Sequence, residues 1–384
     1  MQSGIRVAHS VAAESRAAVQ EFHAAVAQPD ASLVIFFCSN TYDLEQLAQE
    51  INRLFSGVAV IGCTTAGEIG PAGYCESSLV GASFSAEVCT AVTGHIGELQ
   101  QFEMSKGLDL GLRLVRELED RTAQTDIENG FAISLIDGLS VREEPVARAF
   151  QKGLGALPLV GGSAGDGLGF SATHIFADGA FRRDSAALAV LATPLPFHLF
   201  KTQHFVPTDR RLVITEADAS RRVVKEIDGL PAAQEYARLL EVEISELHPG
   251  LFAASPMVVL IDGNNYVRSI QKINADGSIT FFCAIEEGVV LRVARGVDLV
   301  ENLEEAFAEV RKEIGQPELV LGFDCILRRL EILQAGLGPR IESIFNNNRA
   351  IGFNTYGEQF RGIHINQTLT GVALGAASPR VPFA

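Results

Sequence analysis

The sequence predicts an α/β fold, a mixed sandwich of sheets and helices, because one pattern occurs twice in its N-terminal half. The first copy consists of an apolar run at 31–39, a helical repeat at 44–54 and a second apolar run ending in the glycine-rich segment 62–67. The same order follows over 129–169, where the small-residue run is 161–165. Strand-like segments come after each copy, so we expect two β-α-β-β-β modules and then a second α/β domain.

The first module contains one clear amphipathic helix. Leu44, Leu47, Ile51 and Leu54 recur at helical spacing, and Asn40 or Thr41 is in place to cap the helix. Two strand-like segments, SLVGASFS and VCTAVTGHIG, are predicted to be antiparallel, and a helix follows over 106–121. We assign a peripheral helix to 1–30 and the first repeat to 31–125.

The second module, assigned to 126–206, begins its helix with a predicted capping box formed by Ser140 and Glu143. Asp178-Gly179 is typical of a tight hairpin turn between two strands. The carboxylate pairs Glu143/Glu144 and Glu286/Glu287 are interpreted as surface charges at a helix start and a turn.

A polar break at 207–211 predicts a domain boundary, so the C-terminal domain is assigned to 207–384. A turn and a helix at 227–240 come first, then strand-like segments with Asp-Gly turns, and then a helix that Gly315 ends as its C-cap. The last part of this domain, from about residue 350, is rich in small residues and in strand formers.

Composition and charge exclude several classes of protein. The chain has 384 residues, of which 47% are hydrophobic, and its net charge is −16. Such an acidic balance argues against nucleic acid and against an anionic membrane surface as partners. No apolar run reaches the roughly 18 residues of a membrane-spanning helix, and no signal-peptide pattern opens the chain. We therefore expect a cytoplasmic protein.

The six cysteines show none of the spacings that bind metals or attach haem covalently. Most of them lie in apolar strand-like segments, where a free thiol behaves as a small hydrophobic group. Cys63 follows Gly62 in the first glycine-rich segment, but no cation adjoins it in sequence to lower its pKa. Reduced thiols agree with a cytoplasmic location.

Three segments resemble the FIST family, which has an N-terminal and a C-terminal part. They are LPLVGGSAGDGLGF, EIDGLPAAQEY and GFNTYGEQFRGIHINQTLTGVALG, and the resemblance extends from roughly Ala31 to Gly375. The resemblance implies a ligand-sensing module for signal transduction rather than an enzyme. Whether the protein forms a homo-oligomer is left open.

One departure from the family pattern points to a cofactor. Many members have Gly-Trp after the last N-terminal strand, whereas this chain has His204-Phe205. A histidine here is similar to the NosP-type branch, which binds haem and senses nitric oxide. The resemblance implies a non-covalent haem b with His204 as its iron ligand and Phe200 and Phe205 beside it. It further implies a histidine kinase or a cyclic-di-GMP enzyme as partner. His198 and His364 are the other candidate ligands.

A second hypothesis needs no haem. Tyr356, Glu358, Asn366 and Gln367 offer a phenol, a carboxylate and two amides in one short span, which suits a small polar metabolite such as an amino acid. The same groups could instead cap strands and satisfy backbone donors.

A hydrolase is the third and least favoured hypothesis. The segment around Ser163 matches G-x-S-x-G, but a catalytic serine in that motif requires a strand-to-helix turn. Here the chain continues into a loop and a predicted strand, so we expect no catalysis.

Overall fold

The computed structural model describes residues 4–122, 129–261 and 263–376. These residues form an α/β fold with three six-stranded sheets and one eight-stranded sheet, which confirms the predicted fold class. Within the described residues, we find no helix whose length and apolarity would let it span a lipid bilayer.

The first module has six strands and two helices, and it starts earlier than the sequence pattern indicated. Its elements are β1 (Ile5–Ser10), α1 (Ser15–Val26), β2 (Ala31–Ser39), α2 (Leu44–Leu54), β3 (Ala59–Thr65), β4 (Glu68–Gly70), β5 (Gly73–Cys75) and β6 (Leu79–Ser85). The cap of α2 is Asp43, whose carboxylate accepts the backbone N–H groups of Glu45 and Gln46. The predicted caps Asn40 and Thr41 lie just before it.

The second module repeats this order of elements. They are β7 (Thr90–Ile96), α3 (Met104–Arg121), β8 (Gly130–Ile136), α4 (Glu143–Leu154), β9 (Leu159–Ser163), β10 (Ile175–Ala177), β11 (Ala180–Arg182) and β12 (Ala186–Ala192). The predicted turn at Asp178-Gly179 joins β10 to β11, with φ of 46° and 74°. The predicted antiparallel pairing of the segments around β6 and β7 is wrong, because β6 pairs with β1 and β2 while β7 pairs with β12.

A domain is inserted after the next strand, β13 (Phe197–Thr202). It spans 205–296 and contains the eight-stranded sheet. Its elements are β14 (Phe205–Asp218), β15 (Val223–Ile227), β16 (Leu230–Pro231), α5 (Ala232–Leu240), α6 (Pro249–Ala254), β17 (Met257–Ile261), β18 (Asn264–Arg268), β19 (Ile270–Ile273), β20 (Ile279–Phe281) and β21 (Val290–Gly296). The boundary predicted between 206 and 207 falls inside β14.

The rest of the chain completes a third module, which the sequence analysis did not recognise. After β13 and the inserted domain come α7 (Leu299–Ile314), β22 (Pro317–Cys325), α8 (Ile326–Gln334), α9 (Gly338–Asn347), β23 (Ala350–Thr355), β24 (Glu358–Phe360), β25 (Ile363–Ile365) and β26 (Leu369–Gly375). The order of strands matches that of the first two modules, so the predicted duplication is a triplication.

The three modules exchange hairpins in a cycle. The hairpin β10–β11 extends the sheet of the first module, β24–β25 that of the second, and β4–β5 that of the third. The resulting strand orders are equivalent: β1-β6-β2-β3-β10-β11, β7-β12-β8-β9-β24-β25 and β13-β26-β22-β23-β4-β5. Each of these sheets is therefore complete only when two modules are folded together.

The inner faces of the three sheets share one apolar core. Phe37 of the first module packs on Phe353 of the third at 4.6 Å between ring centroids, and Leu135 of the second module belongs to the same cluster. Helices cover the outer faces with separate apolar clusters, α1 and α2 on the first sheet, α3 and α4 on the second, and α7 and α9 on the third. This packing fixes the ends of the central strands, where the candidate site lies.

Candidate functional site

The loops at the carboxyl ends of the central parallel strands are joined to each other. Each module has one parallel pair: β2 with β3, β8 with β9, and β22 with β23. Backbone hydrogen bonds close the ring of loops, since Ala66 N–H donates to Asn354, Gly165 N–H to Thr64 and Ser163 N–H to Gly357, at 2.9, 3.0 and 2.8 Å. Ligands of α/β proteins bind at such carboxyl ends.

A cavity of about 320 Å³ opens at the first module's position in this ring. Loops and strand ends of the first module form one wall, the second module contributes a loop, and α8 of the third module forms the opposite wall. The lining residues are Ser39, Asn40, Thr41, Thr65, Ala66, Gly67, Glu68, Glu76, Ser77, Gly167, Leu168, Ile326, Arg329, Leu330 and Leu333. All three modules are thus needed to build this cavity.

Among the described residues, Arg329 is the one arginine that lines this cavity, and it is 6% exposed. Its guanidinium donates to the backbone oxygen of Ala66 at 3.1 Å and to the carboxylate of Glu76 at 2.8 Å. Its Nε has no hydrogen-bond partner among the described residues. A buried cation with an unsatisfied donor is costly unless another group pairs with it.

Gly67 makes room for this guanidinium. Its φ is +131°, and a Cβ atom at this position would lie 1.8 Å from Nη1 of Arg329. Any side chain at residue 67 would therefore displace Arg329, so the glycine is a requirement of the site rather than of the turn alone.

In each of the other two modules, a buried aspartate at or near the end of a central strand holds neighbouring segments together. In the second module, the Asp137 carboxylate accepts the hydroxyl of Thr173 and the N–H groups of Leu139 and Asp184. In the third module, the Asp324 carboxylate accepts the Tyr74 hydroxyl at 2.6 Å, the Arg328 guanidinium at 2.8 Å and the Asn354 amide at 3.5 Å.

Glu358, one of the predicted metabolite-binding residues, is fully buried. Its carboxyl group is held by the hydroxyls of Thr355 and Thr368 and by the N–H of Thr368. Glu68 in the first module has the matching contacts with Thr65 and Ser78. Burial raises the pKa of Glu68 to about 7 and that of Glu358 to about 8. Both groups fasten strands β4 and β24 to the loops that precede β6 and β26.

The other three residues of that hypothesis are also buried and hydrogen-bonded. The Tyr356 hydroxyl donates to Asp166, and the Asn366 amide is 3.4 Å from the Tyr356 carbonyl. Gln367 accepts from Ser269 at 2.9 Å and donates to the Ala253 carbonyl at 2.6 Å, so it ties the third module to the inserted domain. Tyr356, Glu358, Asn366 and Gln367 are absent from the lining of the 320 Å³ cavity.

His204, the predicted iron ligand, is fully buried and held at both ring nitrogens. Its Nε2 lies 2.9 Å from the Glu331 carboxylate, and its Nδ1 lies 3.1 Å from the Arg328 guanidinium. The Phe205 ring stacks on it at 4.1 Å, whereas Phe200 packs against Phe307 at 5.5 Å. Burial lowers the pKa of His204, which favours a neutral ring that donates from Nε2 and accepts at Nδ1.

This arrangement does not fit haem. An axial ligand needs a free ring nitrogen and an open face for the porphyrin, and His204 is 0% exposed with both nitrogens in use. His198 lies half-buried on β13, and His364 is buried next to Gln359. The described residues also contain no group of three or more His, Cys, Asp or Glu side chains placed to hold a metal ion.

Ser163, the serine of the G-x-S-x-G match, ends β9 and is fully buried. Its hydroxyl accepts the Gln359 amide at 2.9 Å. The chain continues from it into the loop toward β10 rather than into a helix, so the strand-to-helix elbow of the motif does not form.

Two acidic residues predicted to lie on the surface form an interface instead. Glu143 is 1% exposed and pairs with Arg222 of the inserted domain at 2.6 Å. Arg222 also contacts Glu144, whose other carboxylate oxygen accepts the Ala284 N–H at 2.5 Å. The capping box predicted for Ser140 and Glu143 is wrong, because the Glu143 carboxylate is turned toward Arg222. Glu286 and Glu287 are exposed, as predicted.

The fold is built from three modules and an inserted domain, and the cavity between the modules has the size of a small-molecule site. The FIST N domain model matches residues 32–230 and the FIST C domain model matches residues 232–361. The chain therefore belongs to the FIST family, whose domains are sensory, ligand-binding signalling domains rather than catalytic ones. A search of curated proteins gave no match.

The sequence analysis missed Arg329, the central residue of the cavity. It lies in LRRLEIL, an ordinary amphipathic pattern in which an arginine is expected on the solvent side. A usable signal was the repeated Thr-Xaa-Gly-Glu at 65–68 and 355–358, which marks equivalent loops and hence the third module. That equivalence would have directed attention to the ends of β2, β3, β22 and β23.

Proposed function

We propose that this protein is a sensory module that binds a small metabolite with an anionic group, such as an amino acid, in the 320 Å³ cavity. The observation that carries the proposal is Arg329, a nearly buried cation at the cavity wall with an unpartnered Nε. A carboxylate in the cavity would give this guanidinium a charge-assisted partner in a place that water reaches poorly.

The size and lining of the cavity support this class of ligand. About 320 Å³ lies at the lower end of the range for small-molecule sites. Ser39 and Thr41 also line the cavity, and their hydroxyls can orient a polar head. The present partner of Arg329, Glu76, has a side chain that is 75% exposed, so a ligand competes with an ion pair that contributes little.

Helix α8 offers a route for the signal. Arg329 faces the cavity, while Arg328 and Glu331 of the same helix hold His204, which immediately precedes the inserted domain. A ligand that shifts α8 would thereby change how the inserted domain is held. We propose that a separate signalling enzyme, a histidine kinase or a cyclic-di-GMP enzyme, detects that change.

Binding is tested by calorimetry and thermal unfolding with the common amino acids and small carboxylates. A true ligand at a hundred times its Kd adds about 2.7 kcal/mol to the free energy of unfolding. Arg329→Gln should abolish this stabilisation, as should Gly67→Ala, which displaces the guanidinium without removing it. The control is Arg349→Gln, which breaks an exposed ion pair with Glu318. Unchanged binding in Arg329→Gln contradicts the proposal.

The haem prediction is tested in the same preparation. With haemin supplied, we expect no Soret band that depends on His204, because both nitrogens of this ring are engaged. A strong Soret band that shifts when nitric oxide is added and disappears in His204→Ala would replace the present proposal with the haem sensor.

A further inference from the structure

We infer that the ligand is an α-amino acid with an aliphatic side chain. This inference rests on the proposed function and deepens it by naming the chemical class that the cavity selects. It depends on three features of the lining: an apolar stripe, a pair of exposed leucines at the mouth, and two opposite charges side by side.

The apolar stripe belongs to α8. Ile326, Leu330 and Leu333 occupy positions i, i+4 and i+7 and so share one face of the helix. All three line the cavity, and Arg329 lies next to them along the same helix. A ligand whose carboxylate pairs with Arg329 therefore has an aliphatic wall beside its remaining atoms, where a polar side chain would lose hydrogen bonds to water.

Two leucines at this cavity are unusually exposed. Leu333 on α8 is 53% exposed, and Leu168, in the loop after β9, is 54% exposed. Single exposed leucines are common on proteins, but here two of them line one cavity. An aliphatic side chain that contacts these leucines would remove apolar surface from water.

The loop that carries Leu168 is fixed in place. Asp166 accepts the N–H groups of Ser171 and Ala172 at 2.8 and 2.9 Å, and the Tyr356 hydroxyl contacts Asp166 and the Gly167 carbonyl. Phe170 packs on the Tyr356 ring at 4.8 Å. Leu168 is thus held at the rim of the cavity by its neighbours, so its exposure is a property of the folded loop.

The charges at the cavity match a zwitterion. The Arg329 guanidinium and the Glu76 carboxylate lie 2.8 Å apart and both line the cavity. In an α-amino acid, the carboxylate and the ammonium group are attached to the same α-carbon. Such a ligand can therefore pair with Arg329 and Glu76 at once. Glu76 pairs with the ammonium group of the ligand. A carboxylic acid that lacks an ammonium group would place its carboxylate beside the Glu76 carboxylate, and the repulsion would weaken binding.

The experiment measures Kd by calorimetry for glycine, alanine, valine, leucine, serine and aspartate, and for 4-methylpentanoate, which is leucine without its ammonium group. We expect affinity to rise about fourfold for each added methylene, leucine to bind more than tenfold tighter than serine or aspartate, and 4-methylpentanoate to bind more weakly than leucine. Leu333→Asn and Leu168→Asn should remove the preference for leucine over alanine. Leu260→Asn, at a leucine that is 56% exposed on the inserted domain, is the matched control.

The possible outcomes distinguish a failure of this inference from a failure of the proposed function on which it rests. If serine or aspartate binds as tightly as leucine and Arg329→Gln abolishes that binding, the proposed function stands and the aliphatic preference is overturned. If 4-methylpentanoate matches leucine, the role assigned to Glu76 is overturned. If no ligand binds in a manner that depends on Arg329, the proposed function itself fails.

Discussion

At the scale of single residues, two buried glutamates show how the fold uses its repeated loops. Glu68 and Glu358 are each 0% exposed and accept hydrogen bonds from residues on both sides of a hairpin. Removing a carboxylate from water disfavours its charged form, so burial raises both pKa values. Both residues therefore hold their hairpins to neighbouring loops, and burial favours the protonated state of their carboxyl groups.

This raised pKa predicts a pH dependence of stability. The folded pKa of Glu358, about 8, exceeds the ordinary value of 4.5, so its contribution is complete at low pH and is lost as the pH rises toward 8. Between pH 6.5 and 8, the free energy of unfolding should fall by up to about 1.4 kcal/mol per pH unit for such a group. Glu358→Gln, which keeps the shape of the side chain, should flatten this slope in urea titrations.

The exposed Glu87 provides the control, and Glu87→Gln should leave the slope unchanged. Burial lowers the pKa of His364 to about 4. His364 therefore destabilises the fold only as the pH falls below 6.5, and it does not affect the slope between pH 6.5 and 8. An unchanged slope in Glu358→Gln would show that this carboxyl group is already ionised in the folded state.

At the scale of elements, the sequence predicted the local structure better than the pairing. Helix α2 and the hairpin β10–β11 follow from residue spacing and turn chemistry, which act within a few residues. The exchange of hairpins between modules is a tertiary contact with no local signature. The inserted domain also separates β13 from β22, and this gap hid the third copy.

The candidate site could not be predicted from the sequence, because it too depends on tertiary contacts that have no local signature. The predicted residues Tyr356, Glu358, Asn366 and Gln367 form one continuous segment, but the cavity is assembled from three modules. Arg329 becomes a candidate only when α8 is seen to pack beside the loop that contains Gly67. The sequence indicated where the central strands end, but the packing of the three modules that forms the cavity has no signal in the sequence.

Helix α8 is the element that links the cavity to the inserted domain, and this link can be tested. His204→Ala removes the contacts of Glu331 and Arg328 with the start of the inserted domain. Ligand binding should persist with Kd changed by less than threefold. In the unchanged protein, we expect the ligand to protect the backbone amides of β14 and β21 from hydrogen exchange. This protection should be lost in His204→Ala, because α8 no longer holds the start of β14.

His198→Ala, on the neighbouring strand β13, serves as the matched control and should preserve the protection. Protection that survives in His204→Ala would mean that the signal reaches the inserted domain by another contact, such as that of Gln367 with Ser269 and Ala253.

At the scale of the whole molecule, the cyclic exchange of hairpins makes the three modules interdependent. Each six-stranded sheet contains strands of two modules, and their inner faces share one core. The inserted domain has its own apolar cluster, and it joins this body through polar contacts and through a small apolar cluster in which Ala253 and Phe282 pack with Ile326 and Tyr356. A rigid body that carries a separately packed domain is suited to reporting a binding event by a change in docking.

The contact between Arg222 and the glutamates of α4 should hold the inserted domain in its docked position. Arg222→Met removes the cation and leaves Glu143, 1% exposed, without its partner. Breaking a buried ion pair from one side costs about 3 kcal/mol or more, so the free energy of unfolding in urea should fall by that amount. Hydrogen exchange should rise at β15 and β20, which flank Arg222.

The neighbouring arginine makes the test specific. Arg221→Met changes an exposed side chain one residue away and should alter stability by less than about 0.5 kcal/mol. Arg222→Met combined with Glu143→Leu also removes the buried charge of Glu143 and leaves Glu144 with the Ala284 N–H as its partner. This double variant should recover much of the loss, since an apolar pair can replace a buried ion pair. If Arg222→Met is as stable as Arg221→Met, the docked position is held by the Gln367 contacts and by the apolar packing of Ala253 and Phe282, and the ion pair does not contribute.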